Sequence, residues 1–372
     1  MKSPYFALCC SFFLLIACTQ GDERSAQPST SDSTLTIVDS TARVEAPQED
    51  LPAYDQRLVW EGTIDKYPIE MILEISGNAV EGSYRYTSQK NSLQLKGEID
   101  ETGEYKLSEF DPEGKKTGVL RGVAEFQGRF TGSWSKSDSS EELLLVMWPK
   151  QVISRNINEY APASLRYDIN HLHRESAGKT CEIDVYYPYF YDFPAGVAER
   201  INAEMMGPSE EEIVARLAEC QVDDELDEVA MGSIVSEGFR INAFVGPIMS
   251  ISYDFYAYFS GAAHGNYGSD TYNFDMRTGQ RLMPKDLFVE GYEEGLSAMI
   301  EQRLKEFYPE DHSYFEFRGI HAEQDYDLFA DSLGVYFDPY EIAPYAAGRI
   351  EVRLAYDEIE QFIKADGPLG LR

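Results

Sequence analysis

The sequence predicts an α+β protein, with a small antiparallel β-barrel or meander over residues 53–150 and a mixed α+β domain over residues 160–370. Two observations carry that reading. Short alternating runs separated by turn residues fill the first region, and apolar positions at helical spacing interleave with strand-like runs in the second. At 43% apolar and 13% aromatic residues in a chain of 372, there is material for a real core. A net charge of −33 excludes nucleic acid and an anionic membrane face as electrostatic partners.

The chain begins with Met1-Lys2 and an apolar run from Tyr5 to Ala17, too short to span a bilayer and of the length of a signal-peptide core. The run ends in Leu15-Ile16-Ala17-Cys18, which matches a bacterial lipobox. Residues 1–17 are therefore expected to be a lipoprotein signal peptide, and Cys18 the acylated residue that anchors the chain to a lipid bilayer. Thr19 rather than Asp follows it, which under the enterobacterial sorting rule points to the outer membrane of the cell envelope. Residues 18–52, rich in Ser, Thr, Gln and acids, read as a disordered tether with an r.m.s. reach of roughly 30 Å.

Of the five cysteines, Cys9 and Cys10 would leave with the signal and Cys18 would carry lipid. Cys181 and Cys220 remain, and a lone pair in an exported protein reads as a disulfide, with two free buried thiols as the alternative. Closing a loop of about 40 residues would stabilise the fold by about 4 kcal/mol on the chain-entropy model.

Eight runs in the first domain read as strands: Leu58–Ile64, Ile69–Ile75, Val80–Tyr86, Leu93–Ile99, Tyr105–Phe110, Val119–Phe126, Phe130–Trp134 and Leu143–Trp148. Gly62, Gly82, Gly97, Gly118 and Gly132 recur inside them, as tight bends or close backbone approaches require. The expectation is a barrel filled with side chains rather than a lipocalin-like cup.

In the second domain, Tyr167–His173 and Cys181–Tyr187 alternate like strands, while Ala195–Met206 and the acidic stretch Glu210–Glu228 have helical spacing. Strands follow at Gly238–Phe244, Ile248–Ser260 and Asn273–Met276, then an amphipathic helix over Tyr292–Tyr308. The pair Gly334–Phe337 and Arg349–Leu354 and a short helix over Asp357–Ala365 complete the pattern.

Two blocks within this domain stand out. Gly261-Ala262-Ala263-His264-Gly265-Asn266, followed by Tyr272-Asn273-Phe274-Asp275-Met276-Arg277-Thr278-Gly279, resembles the central motif of the RsiV-type extracellular domain. The run from Val335 to Tyr345, with Gly348, resembles the C-terminal block of the same family. In that family the domain occurs in a lysozyme-sensing anti-sigma-V factor and beside peptidoglycan deacetylase domains. The chain lacks the sigma-binding segment and transmembrane helix of the former and the metal motif of the latter. The resemblance thus implies an exported recognition module, not signalling or deacetylation.

The candidate binding loop is Gly261, His264, Gly265, Asn266 and Tyr267, because a histidine between glycines in a loop is placed to meet a ligand. A structural turn capped by the His is the alternative. His171 and His173 alternate on one strand and project from one face, yet spacing alone assembles no zinc set with them, so no metal and no cofactor are expected. Ser260, His264 and Asp270 lack a nucleophile elbow, and no catalytic residue is assigned. The function expected is a lipid-anchored envelope binding protein recognising a cationic, lysozyme-like protein or a peptidoglycan fragment. The alternatives are a cell-wall hydrolase or esterase, or an assembly lipoprotein docking an outer-membrane complex.

Overall fold

The computed structural model describes residues 55–124, 129–176, 180–194, 196–219, 232–307 and 317–372. The signal segment, Cys18, the tether, Cys220 and the distal half of the acidic stretch lie outside the described residues.

Eight antiparallel strands form the first half: β1 (Gln56–Ile64), β2 (Tyr67–Ser76), β3 (Ala79–Tyr86), β4 (Leu93–Ile99), β5 (Glu104–Phe110), β6 (Lys116–Ala124), β7 (Phe130–Lys136) and β8 (Glu142–Arg155). Each pairs with the next, and β1 pairs with β8 from Gln56↔Ser154 to Ile64↔Leu145, which closes the barrel. Period-two alternation sends Ile69, Met71, Leu73 and Ile75 of β2 inward. Trp60 meets Phe130 at 5.4 Å and Tyr105 at 6.0 Å between ring centres. With Tyr84, Phe130, Ile64 and Met71 all under 2% exposed, the interior is packed with side chains, as a barrel of eight strands allows. The recurring glycines are explained by crowding between strands. A Cβ at Gly97 would overlap the carbonyl oxygen of Lys106, and one at Gly132 that of Arg121.

β8 outlasts β7. Its last residues, Gln151–Arg155, pair with β9 (Ser164–Glu175), and the sheet continues through β10 (Cys181–Phe190), β11 (Ser233–Val245), β12 (Ile248–Tyr258), β13 (Asn266–Asp275) and β14 (Gln280–Arg281). β10 and β11 are parallel, with helices α1 (Val197–Glu204) and α2 (Glu210–Glu219) in the connection between them. One apolar cluster runs from Leu58 and Trp60 in the barrel to Phe274 and Met276 on the far sheet. Ser209 and Glu212 cap α2 reciprocally: the Ser209 backbone N–H donates to Glu212 at 2.7 Å and the Glu212 N–H to the Ser209 hydroxyl at 3.3 Å.

A second core joins α3 (Pro284–Leu287) and α4 (Tyr292–Phe307) to a three-stranded sheet of β15 (Tyr326–Leu328), β16 (Ser332–Phe337) and β17 (Ile350–Ala355). Tyr292, Leu296, Ile300 and Leu304 of α4, four apart, are all buried in it. β15 lies over β12 and β13, and buried polar side chains serve its backbone. The Leu328 N–H donates to Ser250 Oγ at 3.0 Å, the Tyr326 N–H to Thr271 Oγ1 at 3.1 Å, and Asn273 Nδ2 to the Tyr326 carbonyl at 3.1 Å. Ser250, Thr271 and Asn273 are buried because an edge strand pressed on a sheet face needs those partners.

The short helix expected over Asp357–Ala365 is a correction: only Glu360–Phe362 turns, as a single 3-10 turn. The backbone there is recruited by the strand-like stretch after α3, with the Val289 N–H on the Phe362 carbonyl at 2.8 Å and the Lys364 N–H on that of Leu287 at 2.9 Å. An α-helix could not keep both contacts.

Candidate functional site

The two blocks singled out in the sequence meet in space. Asn266 and Tyr267 begin β13 rather than belonging to the loop, and the turn before them carries His264. Gly261 enables that turn with a left-handed φ of 85°. The His264 ring stacks on Tyr345 with centres 3.7 Å apart and planes 21° from parallel. Tyr345 Oη donates to the Gly265 carbonyl at 2.7 Å, and His264 Nδ1 lies 2.8 Å from the same oxygen. Tyr340 Oη approaches His264 Nε2 at 3.4 Å, and Tyr267 meets Tyr345 edge-on at 5.6 Å. A Cβ on Gly265 would strike the Tyr256 ring, so that residue's glycine identity keeps the turn close to the tyrosine.

Tyr340 is held at φ 72°, an uncommon conformation for an aromatic residue, while its side chain is 58% exposed. The turn Asp338-Pro339-Tyr340-Glu341 enforces it. The Asp338 N–H donates to Glu341 Oε2 at 2.9 Å, the Glu341 N–H to the Asp338 carbonyl at 3.0 Å, and the Tyr340 N–H to the Ala343 carbonyl at 3.0 Å.

Carboxylates cluster around the Asp338–Glu341 turn that carries Tyr340. Burial, then repulsion from Asp270, Asp338 and Glu341, pushes Asp325 up to about 7. Burial also pushes Asp338 up to about 6, opposed by Arg349 and reinforced by Glu341 and Asp270. Arg349 lies over the Tyr336 ring at 3.7 Å and 3.4 Å from Asp254 Oδ1. The region thus combines four tyrosines and a histidine with the carboxylates around the Asp338–Glu341 turn, a combination suited to an ammonium or guanidinium group.

A pH dependence follows. Unfolded, Asp325 titrates near the ordinary carboxyl value of about 3.9. Folded, it holds its proton to about 7, so the folded state binds more protons between those limits and loses stability as pH rises through them. Asp325→Asn should therefore raise stability at pH 8 by about 1–2 kcal/mol, the gain fading towards pH 4. Thermal melts across that range check it; a gain independent of pH would contradict the assignment.

Residues 285–357 match a protein family of unknown function, DUF3298. The matched segment runs from α3 to just past β17 and supplies Asp325, Asp338, Tyr340, Tyr345 and Arg349, whereas the His264 loop lies upstream of it. Two solved structures are similar to this chain. A DUF3298 family member from Bacteroides fragilis NCTC 9343 aligns over 56% of this chain and 96% of its own at 17% identity and a TM-score of 0.46. A DUF3298 family protein from Pseudomonas aeruginosa PAO1 aligns over 53% and 94% at 17% identity and a TM-score of 0.38. No curated protein matches the sequence.

The remaining candidates from the sequence are placed apart. His264 turns its nitrogens to Gly265 and Tyr340, not to Ser260 or Asp270, so those three residues do not form a hydrogen-bonded relay. His171 and His173 stand on β9, with three strands between them and β13. Of the site's acids, Asp338 and Glu341 had a legible signal, since Asp-Pro-Tyr-Glu is a turn sequence with a carboxylate at each end. Asp325 had none.

Proposed function

We propose that this chain is a lipid-anchored envelope protein that recognises a basic protein of the lysozyme-like class through the Tyr340–Tyr345–His264 surface. The observation that carries the reading is the aromatic cluster of His264, Tyr340 and Tyr345, built jointly by the two blocks, on the turn that also holds Asp338. A protein rich in Lys and Arg would meet rings that attract cations, carboxylates around the Asp338–Glu341 turn, and a chain of net charge −33 that steers its approach. Acylation of Cys18 and attachment in the outer envelope belong to the same reading. No helix among the described residues is long and apolar enough to cross a membrane. So does the Cys181–Cys220 disulfide. Its support is that Cys181 is buried in a cluster with Ile213 and Leu217 of α2, the helix that ends one residue before Cys220.

Calorimetric titration of the full chain with a lysozyme at low and high salt tests the function. One-to-one binding that survives high salt, weakens at least about tenfold in Tyr345→Ala, and tightens from pH 5 to pH 8 as Asp338 and Asp325 lose their protons supports it. Binding that vanishes with salt, or ignores Tyr345→Ala, refutes it.

A further inference from the structure

We propose that His171, His173 and Asp184 bind one zinc-class divalent cation on the β9–β10 hairpin, with Glu182 as a fourth ligand. The pairing register is the origin of the site. Asp184 lies opposite His173, and Tyr186 opposite His171, so two imidazoles from β9 and a carboxylate from β10 share one face. Their ligand atoms all lie within 4.8 Å of one another. His171 Nε2 touches Asp184 Oδ1, and His173 Nδ1 lies 3.7 Å from both Asp184 Oδ1 and Glu182 Oε1. Around a tetrahedral zinc with ligand bonds of about 2.0–2.2 Å, donor atoms stand roughly 3.3–3.5 Å apart. The His173 contacts are within a few tenths of an ångström of that spacing, whereas His171 and Asp184, which touch, must part by about an ångström to admit the ion.

The surroundings orient these ligands. Tyr186 stacks on the His171 ring at 4.2 Å with planes 3° apart, fixing the direction of Nε2. Glu175 Oε1 lies 3.7 Å from His173 Nε2, the far side of the ring from the donor, as in carboxylate–histidine–metal arrangements. Arg174, the neighbouring cation, is engaged by Glu210 of α2 at 3.0 Å. Two imidazoles with two carboxylates suit Zn²⁺ and its transition-metal neighbours, whereas Ca²⁺ and Mg²⁺ prefer oxygen alone. The ligands are reachable, with side chains 25–46% exposed. Bound metal would clip β9 to β10 on the face opposite Ile183 and Val185, which α2 covers through Ile213.

The full chain, purified without a histidine tag and stripped with chelator, is titrated with Zn²⁺ against a chromogenic competitor. The expected result is one zinc per chain, weakened at least about tenfold by His171→Ala, His173→Ala or Asp184→Asn, and unaffected by His264→Ala or millimolar Ca²⁺. Added Co²⁺ should give visible d–d absorption in the unmutated chain, a readout that does not depend on any variant folding. Absence of zinc binding and of the Co²⁺ bands overturns the proposal. So does binding that persists unchanged in the His171→Ala/His173→Ala double variant or yields equally to Ca²⁺.

Discussion

Glu109→Ala should lower the unfolding free energy by about 3 kcal/mol or more. Glu109 is 2% exposed on β5, at the end of a barrel otherwise filled with apolar side chains. Three donors converge on it: Tyr84 Oη at 2.5 Å, Trp134 Nε1 at 2.6 Å and Thr117 Oγ1 at 2.5 Å. They come from β3, β7 and β6, so one carboxylate ties together strands from much of the barrel wall. Burial, with Glu109 beside it, raises the Tyr84 hydroxyl far above its ordinary value and keeps it a donor at any working pH. Alanine removes the common acceptor of buried Tyr84 and half-buried Trp134 and Thr117, an unsatisfied buried group costing about 1–3 kcal/mol. Glu109→Gln, which retains one oxygen, should recover part of the loss. Urea unfolding of the three proteins measures this, and a loss below about 1 kcal/mol for alanine would show that the donors find partners elsewhere.

The second large effect concerns Arg349. Its guanidinium and Asp254 are 19% and 12% exposed, Ser269 Oγ also donates to Asp254, and Arg349 opposes burial at Asp338 and, after hydrogen bonds from Ser252 and Tyr336 and together with Arg240, at Asp327. Arg349→Met keeps most of the volume but leaves Asp254 and Asp338 without this countercharge and removes one of the two that face Asp327. The expected cost is about 3–5 kcal/mol, the usual penalty for removing one partner of a buried ion pair. It should be larger at pH 8 than at pH 5, because protonation of Asp338 near 6 relieves part of the repulsion. Melting curves at both pH values decide the matter. A cost equal at both would place the stabilisation in the stacking of Arg349 on Tyr336 instead of in charge.

Much of the fold was legible in the chain. All eight barrel strands follow from alternation and turn residues, and Ser76-Gly77-Asn78 or Glu101-Thr102-Gly103 between them act over a few residues only. Helix α4 followed from apolar residues four apart, and the His264 loop from its glycines. The polar run Ser250, Ser252, Thr271 and Asn273 was opaque, since each reads as a solvent-facing position until β15 is laid across it. The 3-10 turn at Glu360–Phe362 was misread for the same kind of reason, because its backbone partners lie some seventy residues earlier.

What the sequence determined by itself is what short-range forces decide: strand, turn and helix, the glycine pattern of the barrel wall, and the two blocks that carry His264 and Tyr345. Only the tertiary structure decided that His264 stacks on Tyr345, that burial raises the titration of Asp325 and Asp338, and that Asp184 comes opposite His173. Those facts depend on strand register and on desolvation, and both arise from contacts between residues far apart in the chain, which no local pattern encodes.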